Sequence, residues 1–136
     1  MYCFDTDVLS AILRREPPLE LVRRLATVPA VEQFTTAITL GEFLYGASKR
    51  ASNGLTDRVR DLLESLVQIL PFDEAAAETY GPLRARLERE GNPLAEPDLR
   101  IASIALANDL TLVSGNERHF SRVPDLRLEN WLSGLA

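Results

Sequence analysis

Acidic side chains stand where the predicted strands end and where a later helix begins. Asp5 directly follows an apolar run at 2–4, Glu42 follows a second segment rich in β-formers, and Asp98 lies in the first turn of a predicted helix. The carboxyl ends of parallel strands meet at one edge of a sheet. We therefore expect Asp5, Glu42 and the segment 114–117 to lie together, with Asp98 facing them.

This grouping predicts a site for a hard divalent cation. Carboxylates that lie close together raise one another's pKa unless a cation separates them. Oxygen ligands without His or Cys suit Mg²⁺ or Mn²⁺, and such a metal can activate water and hold a phosphate. The predicted ligands are Asp5, Glu42 and Asp98. His119 is the only histidine, which excludes a pair of histidines as acid and base, and we expect it to be exposed on a short helix.

Each acid also has a local structural interpretation, which the sequence leaves open. The pattern Thr39-x-x-Glu42 is that of a capping box, which would explain Glu42 without any chemistry. Asp98 follows a proline at a helix N-terminus, where the helix dipole favours an acid. Asp5 and Asp7 are typical turn residues. The coincidence of all these acids at predicted strand ends favours the site.

Short strands that alternate with helices surround these acids. The predicted strands are at 2–4, 34–38, within 67–72, 111–113 and 127–129. The predicted helices are at 9–13, from Pro18 to about 27, 40–51, 54–68, from a cap at Asp73 to about 90, and 97–108. This alternation predicts an α/β fold in which helices cover both faces of a parallel sheet of four to five strands.

Two of these helices show which face they should bury. The helix at 54–68 carries apolar residues at helical spacing, namely Val59, Leu62, Leu63, Leu66 and Val67. The helix that begins at Pro18 is expected to bury Leu21, Val22 and Leu25.

Composition limits the class of protein. The chain of 136 residues is the size of one domain, so we expect a single domain over 1–136. It has no apolar run long enough to span a membrane, and Cys3, its one cysteine, is expected to be buried and free. The net charge of -5 does not favour nucleic-acid binding, although 14 of the 15 bases are arginines, which suit phosphate. We expect a cytoplasmic protein.

Four segments, in order along the chain, resemble the motifs of one family. FDTDVL at 4–9 is similar to the opening of the PIN-domain nucleases, TLGEFLYGA at 39–47 to their second motif, and PDLRIASIA at 97–105 to their third. LVSGNERHFSRVP at 112–124, followed by LENW at 128–131, resembles the ending of the VapC-type toxins of that family. The resemblance implies a PIN-like three-layer fold.

The resemblance also implies an activity and partners. PIN-domain toxins of this type are Mg²⁺- or Mn²⁺-dependent endoribonucleases of type II toxin–antitoxin pairs, usually homodimers. A VapB-type antitoxin wraps them and blocks the acidic site. Their RNA products carry a 5′-phosphate and a 3′-hydroxyl. By position, Asp5, Glu42 and Asp98 match the three principal acids of the family.

Further residues take their expected roles from the same motifs. Asp7 falls where the family often carries Asn or Asp, which makes it a supporting ligand. Asn116 stands where many PIN domains keep a fourth acid, so we expect a second metal to bind more weakly. Glu117 is a candidate to compensate for that lost charge. The hydroxyls of Thr6 and Ser114 are candidates to orient ligands or water.

Contacts with RNA and antitoxin are assigned by proximity to the motifs. Candidates for the RNA backbone are Arg100, two residues after Asp98, and Arg118 and Arg122, which flank the fourth motif. An apolar antitoxin helix is expected against the helices near 9–13 and 22–25.

Three other classes of protein share part of this pattern. A haloacid-dehalogenase-like phosphatase also begins with a strand and an Asp-x-Asp motif, but it needs a late lysine, and Lys49 is the only lysine. A response-regulator receiver also begins with paired acids, but this sequence lacks the phosphoacceptor Asp at the end of the third strand and the later lysine. A PIN-like domain that binds RNA or a partner without cutting stays open because of Asn116.

Overall fold

The computed structural model describes residues 1–50 and 54–133. In this part of the chain the strands are β1 (Tyr2–Phe4), β2 (Gln33–Thr36), β3 (Gln68–Leu70), β4 (Thr111–Val113) and β5 (Leu128–Glu129). The α-helices are α1 (Thr6–Ile12), α2 (Leu19–Ala26), α3 (Ala37–Lys49), α4 (Leu55–Leu66), α5 (Glu74–Arg89), α6 (Glu96–Ala107) and α7 (Glu117–Phe120), and a 3₁₀ turn covers Ala30–Glu32. The predicted last residue of the third helix, residue 51, lies outside the described residues.

All strand pairs in the described sheet are parallel, in the order β3-β2-β1-β4-β5. The chain builds outward from β1 to β2 and β3, then returns to place β4 and β5 on the other side of β1. The strand order therefore reverses between β1 and β4, and the loops that follow these two strands diverge. Open α/β sheets bind ligands at such a crevice. The predicted α/β fold with a parallel sheet is confirmed.

The pleat of the strands divides the core into two layers. Cys3 and Leu112 point to the side covered by α5, α6 and α7, whereas the next residues along their strands, Phe4 and Val113, point to the side covered by α1, α2 and α4. This alternation buries both faces of the sheet. Cys3 is fully buried as a free thiol, as predicted, and burial raises its pKa to about 12.

Two helices begin earlier than predicted because side chains cap them. Helix α1 begins at Thr6 instead of residue 9, since the Asp5 carboxylate accepts a hydrogen bond from the Thr6 amide. Helix α3 takes Ile38 from the predicted strand, since the Thr36 hydroxyl accepts a hydrogen bond from the Thr39 amide. Each cap satisfies a helix N–H that otherwise has no partner, and at α3 this outweighs the β-propensity of Ile38.

The buried faces of α2 and α4 are narrower than predicted. Leu21 and Leu63 are fully buried, but Val22, Leu62 and Leu66 are 41%, 50% and 38% exposed. These helices lie on the outside of one layer, so only the stripe that faces the sheet is covered. Val59 and Leu25 pack at the edge of the same core, and Val67 is buried.

No helix within residues 1–50 and 54–133 has the length and apolar character needed to cross a bilayer.

Candidate active site

Asp5 lies at the centre of the carboxyl edge of the sheet. It directly follows β1, its backbone amide donates to the Val113 carbonyl of β4 (3.0 Å), and only 6% of its surface is exposed. One carboxylate oxygen accepts from the Thr6 amide and the other from the Ser114 hydroxyl, both at 2.8 Å. Asp5 is therefore held at the β1/β4 crevice by both neighbouring loops.

The position of Asp5 disfavours its charge. The pKa of the Asp5 carboxyl is raised to about 6, chiefly by burial and also by the nearby charges of Asp7 and Asp98, against the two hydrogen bonds, which lower it. An isolated turn or capping residue would keep its ordinary acidity in water. The site thus holds an acid whose ionisation would be helped by an added cation.

Glu42 lies in the middle of α3 and turns toward α1. The Thr6 hydroxyl donates to a Glu42 carboxylate oxygen at 3.2 Å. The capping-box interpretation of Glu42 is wrong, because Thr36 caps the helix and Thr39 already lies within it. Although Glu42 is exposed, desolvation of its carboxyl and the charge of Asp98 raise its pKa. The Glu42 carboxylate therefore lies close enough to Asp98 for their charges to interact.

Asp98 lies in the first turn of α6, as predicted, and is half-buried. Ala95 occupies the N-cap position and provides no side-chain cap. Burial and the charge of Asp7 raise the pKa of Asp98, and His119 lowers it. Burial and a like charge therefore oppose the stabilisation that a helix N-terminus gives to an acid.

Asp7 faces the loop that follows β4. It lies in the first turn of α1, and its Oδ2 accepts a hydrogen bond from the Gly115 amide at 2.8 Å. Its other oxygen, Oδ1, is buried and has no hydrogen-bond partner among the described residues. Within the same loop the Asn116 amide donates to the Ser114 hydroxyl at 3.0 Å.

Asn116 and its neighbours form the outer rim of the site. Asn116 precedes α7, and its carboxamide oxygen lies 2.7 Å from the Nδ1 atom of His119. His119 is exposed on the short helix α7, as predicted, and Glu117 is exposed beside it. The oxygen expected to serve a metal is thus engaged by an imidazole.

Two of the three nominated arginines make local contacts. Arg100 donates to Glu96 at 3.2 Å and lies over the ring of Phe72, 5.8 Å from its centroid. Arg122 donates to the Pro93 carbonyl at 3.0 Å, whereas Arg118 is exposed on α7. Their contact with RNA stays a prediction.

Lys49 does not supply the late lysine of a phosphatase site. It ends α3, and its ammonium lies 5.8 Å from the ring centroid of Tyr45.

An apolar groove adjoins the acidic residues on one side. It lies between α1, α3 and α4, has a volume of about 610 Å³, and reaches Thr6 and Glu42. Apolar side chains and two arginines line the rest of it, among them Leu13, Phe43, Val59, Leu62, Arg14 and Arg50. Only the α1 part of this surface was expected from the sequence.

Gly115 is the site residue that sequence reasoning missed. A Cβ atom at this position would lie 2.8 Å from Asp7 Oδ2 and 3.2 Å from Leu132 Cδ1. A glycine between Ser114 and Asn116, directly after a strand, was the available signal, since glycine at such a position indicates a close approach.

The donor set fits a hard divalent cation held partly through water. Among residues 1–50 and 54–133, no three His, Cys, Asp or Glu side chains lie close enough together to form a ready metal-binding group. The carboxylates nevertheless raise one another's pKa, and the buried Asp7 Oδ1 has no hydrogen-bond partner in the described part of the chain. Mg²⁺ keeps several of its waters in proteins, so it can be held by few direct ligands.

Comparison with known sequences identifies similar proteins along nearly the whole chain. The PIN-domain family model matches residues 2–126. The chain is 33% identical to Ribonuclease VapC2 of Rickettsia felis, with 96% of this chain and 98% of that protein aligned. It is 31% identical to the tRNA(fMet)-specific endonuclease VapC of Salmonella typhimurium, over 96% and 97% of the two chains.

Solved structures agree with the sequence comparison. The fold matches a chain in the crystal structure of VapBC2 from Rickettsia felis bound to a promoter DNA fragment, with a TM-score of 0.86, 31% identity, and coverage of 96% and 98%. It also matches FitAcB from Neisseria gonorrhoeae, with a TM-score of 0.82, 27% identity, and coverage of 98% and 99%.

Proposed function

This chain belongs to the PIN-domain family, among its VapC ribonuclease toxins, and on that premise we propose that it is a Mg²⁺- or Mn²⁺-dependent endoribonuclease. One observation carries the proposal. A buried aspartate, Asp5, lies at the crevice where the strand order reverses, within reach of the charges of Asp7 and Asp98. In this proposal residues 1–136 form one PIN-like domain, and the protein acts in the cytoplasm.

Asp5, Glu42 and Asp98 are the proposed metal ligands, directly or through waters. The Ser114 hydroxyl fixes the carboxylate of Asp5, and the Thr6 hydroxyl fixes that of Glu42. When bound, Mg²⁺ or Mn²⁺ would lower the pKa of a water and offset charge on the phosphate oxygens. With these three residues ionised, the site would orient an RNA phosphodiester for in-line attack of water on its phosphorus. The P–O3′ bond would break and the 3′ oxygen would take up a proton, which leaves a 5′-phosphate on one product and a 3′-hydroxyl on the other.

The rim of the site has the proposed role of holding RNA. Arg118 is the exposed arginine nearest in sequence to the β4–α7 loop, and it is proposed to contact the RNA backbone. Arg100 and Arg122 could do so only by leaving or sharing their present partners. Asn116 is proposed as a catalytic residue beside the three acids, and Glu117 as a supporting group.

The proposed protein partner is a VapB-type antitoxin that occupies the groove between α1, α3 and α4. Matched solved structures include VapBC2 of Rickettsia felis and VapBC-1 of Haemophilus influenzae, both toxin–antitoxin complexes. The groove offers apolar side chains next to the Glu42 carboxylate, which suits a segment with apolar residues and a cation directed at the site. The nomination of the α2 surface near 22–25 stays a separate prediction, as does a homodimer.

Cleavage by purified protein tests the proposed activity. The wild type should cleave RNA with Mn²⁺, and cleavage should stop when EDTA is added. The cleavage rate of Asp5→Ala should be at least about 100-fold lower, because the variant lacks a proposed ligand of the metal that offsets charge on the reacting phosphate. Asp61→Ala is the matched control, since Asp61 is exposed on α4. Full activity of Asp5→Ala, or cleavage that resists EDTA, would contradict the proposal.

The same assay separates a second candidate function, an inactive domain that binds RNA or a partner. The contact between the Asn116 oxygen and His119 favours this candidate, because it occupies a potential metal ligand. RNA retention without Mn²⁺-dependent cleavage is its expected result.

A further inference from the structure

We propose that Asp7 is a positioning residue of the site that acts through the Gly115 amide. The inference builds on the proposed nuclease function. It assigns to Asp7 a role different from that of a supporting metal ligand, because the residue is needed to hold the loop between β4 and α7.

The contact between Asp7 and Gly115 is close and specific. Asp7 Oδ2 accepts a hydrogen bond from the Gly115 amide at 2.8 Å. A side chain at position 115 would displace the Asp7 carboxylate, because its Cβ would lie only 2.8 Å from the same oxygen. Leu132 closes the space on another side, 3.2 Å from that Cβ position. Glycine is therefore required for the approach of loop to carboxylate, and a hydrogen bond to a charged acceptor is stronger than one between neutral groups.

The residues on both sides of Gly115 connect this contact to Asp5. Ser114 donates its hydroxyl to Asp5 Oδ2 at 2.8 Å, and the Asn116 amide donates to that hydroxyl at 3.0 Å. Ser114 and Gly115 are thus bonded to Asp5 and Asp7, and the Asn116 amide holds the Ser114 hydroxyl. Releasing Gly115 would allow Ser114 to move, and the Asp5 carboxylate would lose its fixed orientation.

The second carboxylate oxygen of Asp7 makes no hydrogen bond within the described residues. This oxygen, Oδ1, is buried, and the charge of Asp7 raises the pKa of both Asp5 and Asp98. Asn at this position would keep an acceptor for Gly115 and would remove the like charge. A positioning role therefore predicts that Asn can substitute for Asp7, whereas Ala cannot.

The decisive experiment compares Asp7→Asn with Asp7→Ala by amide hydrogen exchange in NMR. Asp7→Ala should exchange the Gly115 amide at least about tenfold faster than the wild type, and Asp7→Asn should keep most of the protection. Gly115→Ala is an independent variant, in which the new methyl group should displace the Asp7 carboxylate. Asp61→Ala provides the control for loss of an exposed acid, and thermal unfolding checks that each variant folds.

Mn²⁺ titration and RNA cleavage then measure the consequence for the site. Asp7→Ala and Gly115→Ala should weaken Mn²⁺ binding and cleavage by about 10–100-fold, whereas Asp7→Asn should restore both to within roughly fivefold of the wild type. An Asn variant as defective as the Ala variant would overturn the inference in favour of a charged ligand. Unchanged Gly115 exchange in Asp7→Ala would also overturn it. Absence of cleavage by the wild type would instead contradict the proposed function. The exchange rates of the Gly115 amide do not depend on cleavage and would still test the role of Asp7.

Discussion

Glu96 and Asp98 occupy the same turn of α6, yet the pKa of Glu96 is lowered and that of Asp98 is raised. Glu96 accepts from the Tyr80 hydroxyl and from Arg100, and lies 3.5 Å from Arg84, so its pKa is lowered. Asp98 turns inward, where burial and another carboxylate raise its pKa. Two residues of similar chemistry therefore differ because Glu96 pairs with arginines at the surface, whereas Asp98 is half-buried, near Asp7 and His119.

The same contrast separates two regions of the molecule. On the outer surface of α5, acids pair with arginines one turn away, as in Arg84–Glu88 and Arg86–Glu90. At the edge of the sheet, the hydrogen bonds to Asp5 come from a hydroxyl and a backbone amide, and its charged neighbours are acids. The surface is electrostatically satisfied without any ligand, whereas the site would be satisfied by a cation. Functional sites commonly sacrifice stability in this way.

The largest expected effect is the difference in RNA cleavage between neutralising Asp98 and neutralising Glu96. Asp98→Asn should lower RNA cleavage by about 100-fold or more, whereas Glu96→Gln should change it by less than about threefold, because an exposed pair contributes little. Gln also keeps an acceptor for Tyr80. Single-turnover cleavage with Mn²⁺ measures both variants. Equal losses would mean that the comparison between the two regions fails.

Metal should stabilise the wild type selectively. At a free Mn²⁺ concentration of 100 times its Kd, the free energy of unfolding should rise by about 2.7 kcal/mol, because the ion binds only the folded chain. Asp5→Asn should lose most of this gain, and Asp61→Asn should keep it. Urea unfolding with Mn²⁺ and with EDTA provides the measurement, and equal gains in wild type and Asp5→Asn would exclude Asp5 as a ligand.

In EDTA, Asp5 should make the stability depend on pH. The pKa of Asp5 is about 6 in the folded chain against 3.8 ordinarily, so the folded chain retains a proton that the unfolded chain has lost. The free energy of unfolding should therefore fall by about 3 kcal/mol as pH rises from about 4 to about 6, and should remain low above pH 6.

Asp5→Asn removes this titration and tests its sign. The variant should be more stable than the wild type at pH 7 in EDTA and about equal to it near pH 4. Urea unfolding at several pH values compares them. A wild type that becomes more stable from pH 4 to 7 relative to Asp5→Asn would show that the ionised carboxylate is favoured in the folded site.

Elements with strong local signals could be predicted from the sequence. Asp73 caps α5 through the Ala76 amide as expected, and the strand at 111–113 matches β4. The start of α3 was missed because the Thr36 cap competes with the β-propensity of Ile38, and the start of α1 was missed because Asp5 and Asp7 are also typical turn residues. Propensity describes single residues, whereas a cap depends on where the chain turns.

For the site, the sequence predicted which residues are candidates but not what they bond. Strand ends in a parallel sheet place Asp5 near the 114–117 loop by topology alone. The bonds from Thr6 to Glu42 and from Gly115 to Asp7 depend on side-chain direction and on the missing Cβ, which no spacing specifies. These bonds connect segments that are distant in sequence, so only the packed fold brings them together.

The smallest expected effect lies on the outer surface of α5. Arg86 donates to Glu90 at 2.8 Å, and both side chains are about half exposed, so solvent and salt screen the pair. Glu90 also caps the C-terminal end of its helix, where the helix dipole disfavours an acid and offsets part of the attraction. Glu90→Gln should therefore change the free energy of unfolding by less than about 0.5 kcal/mol, at both low and high salt. Urea unfolding in EDTA measures this beside Asp5→Asn. A loss larger than about 1 kcal/mol would show that this exposed ion pair contributes to stability and would contradict the contrast between the two regions.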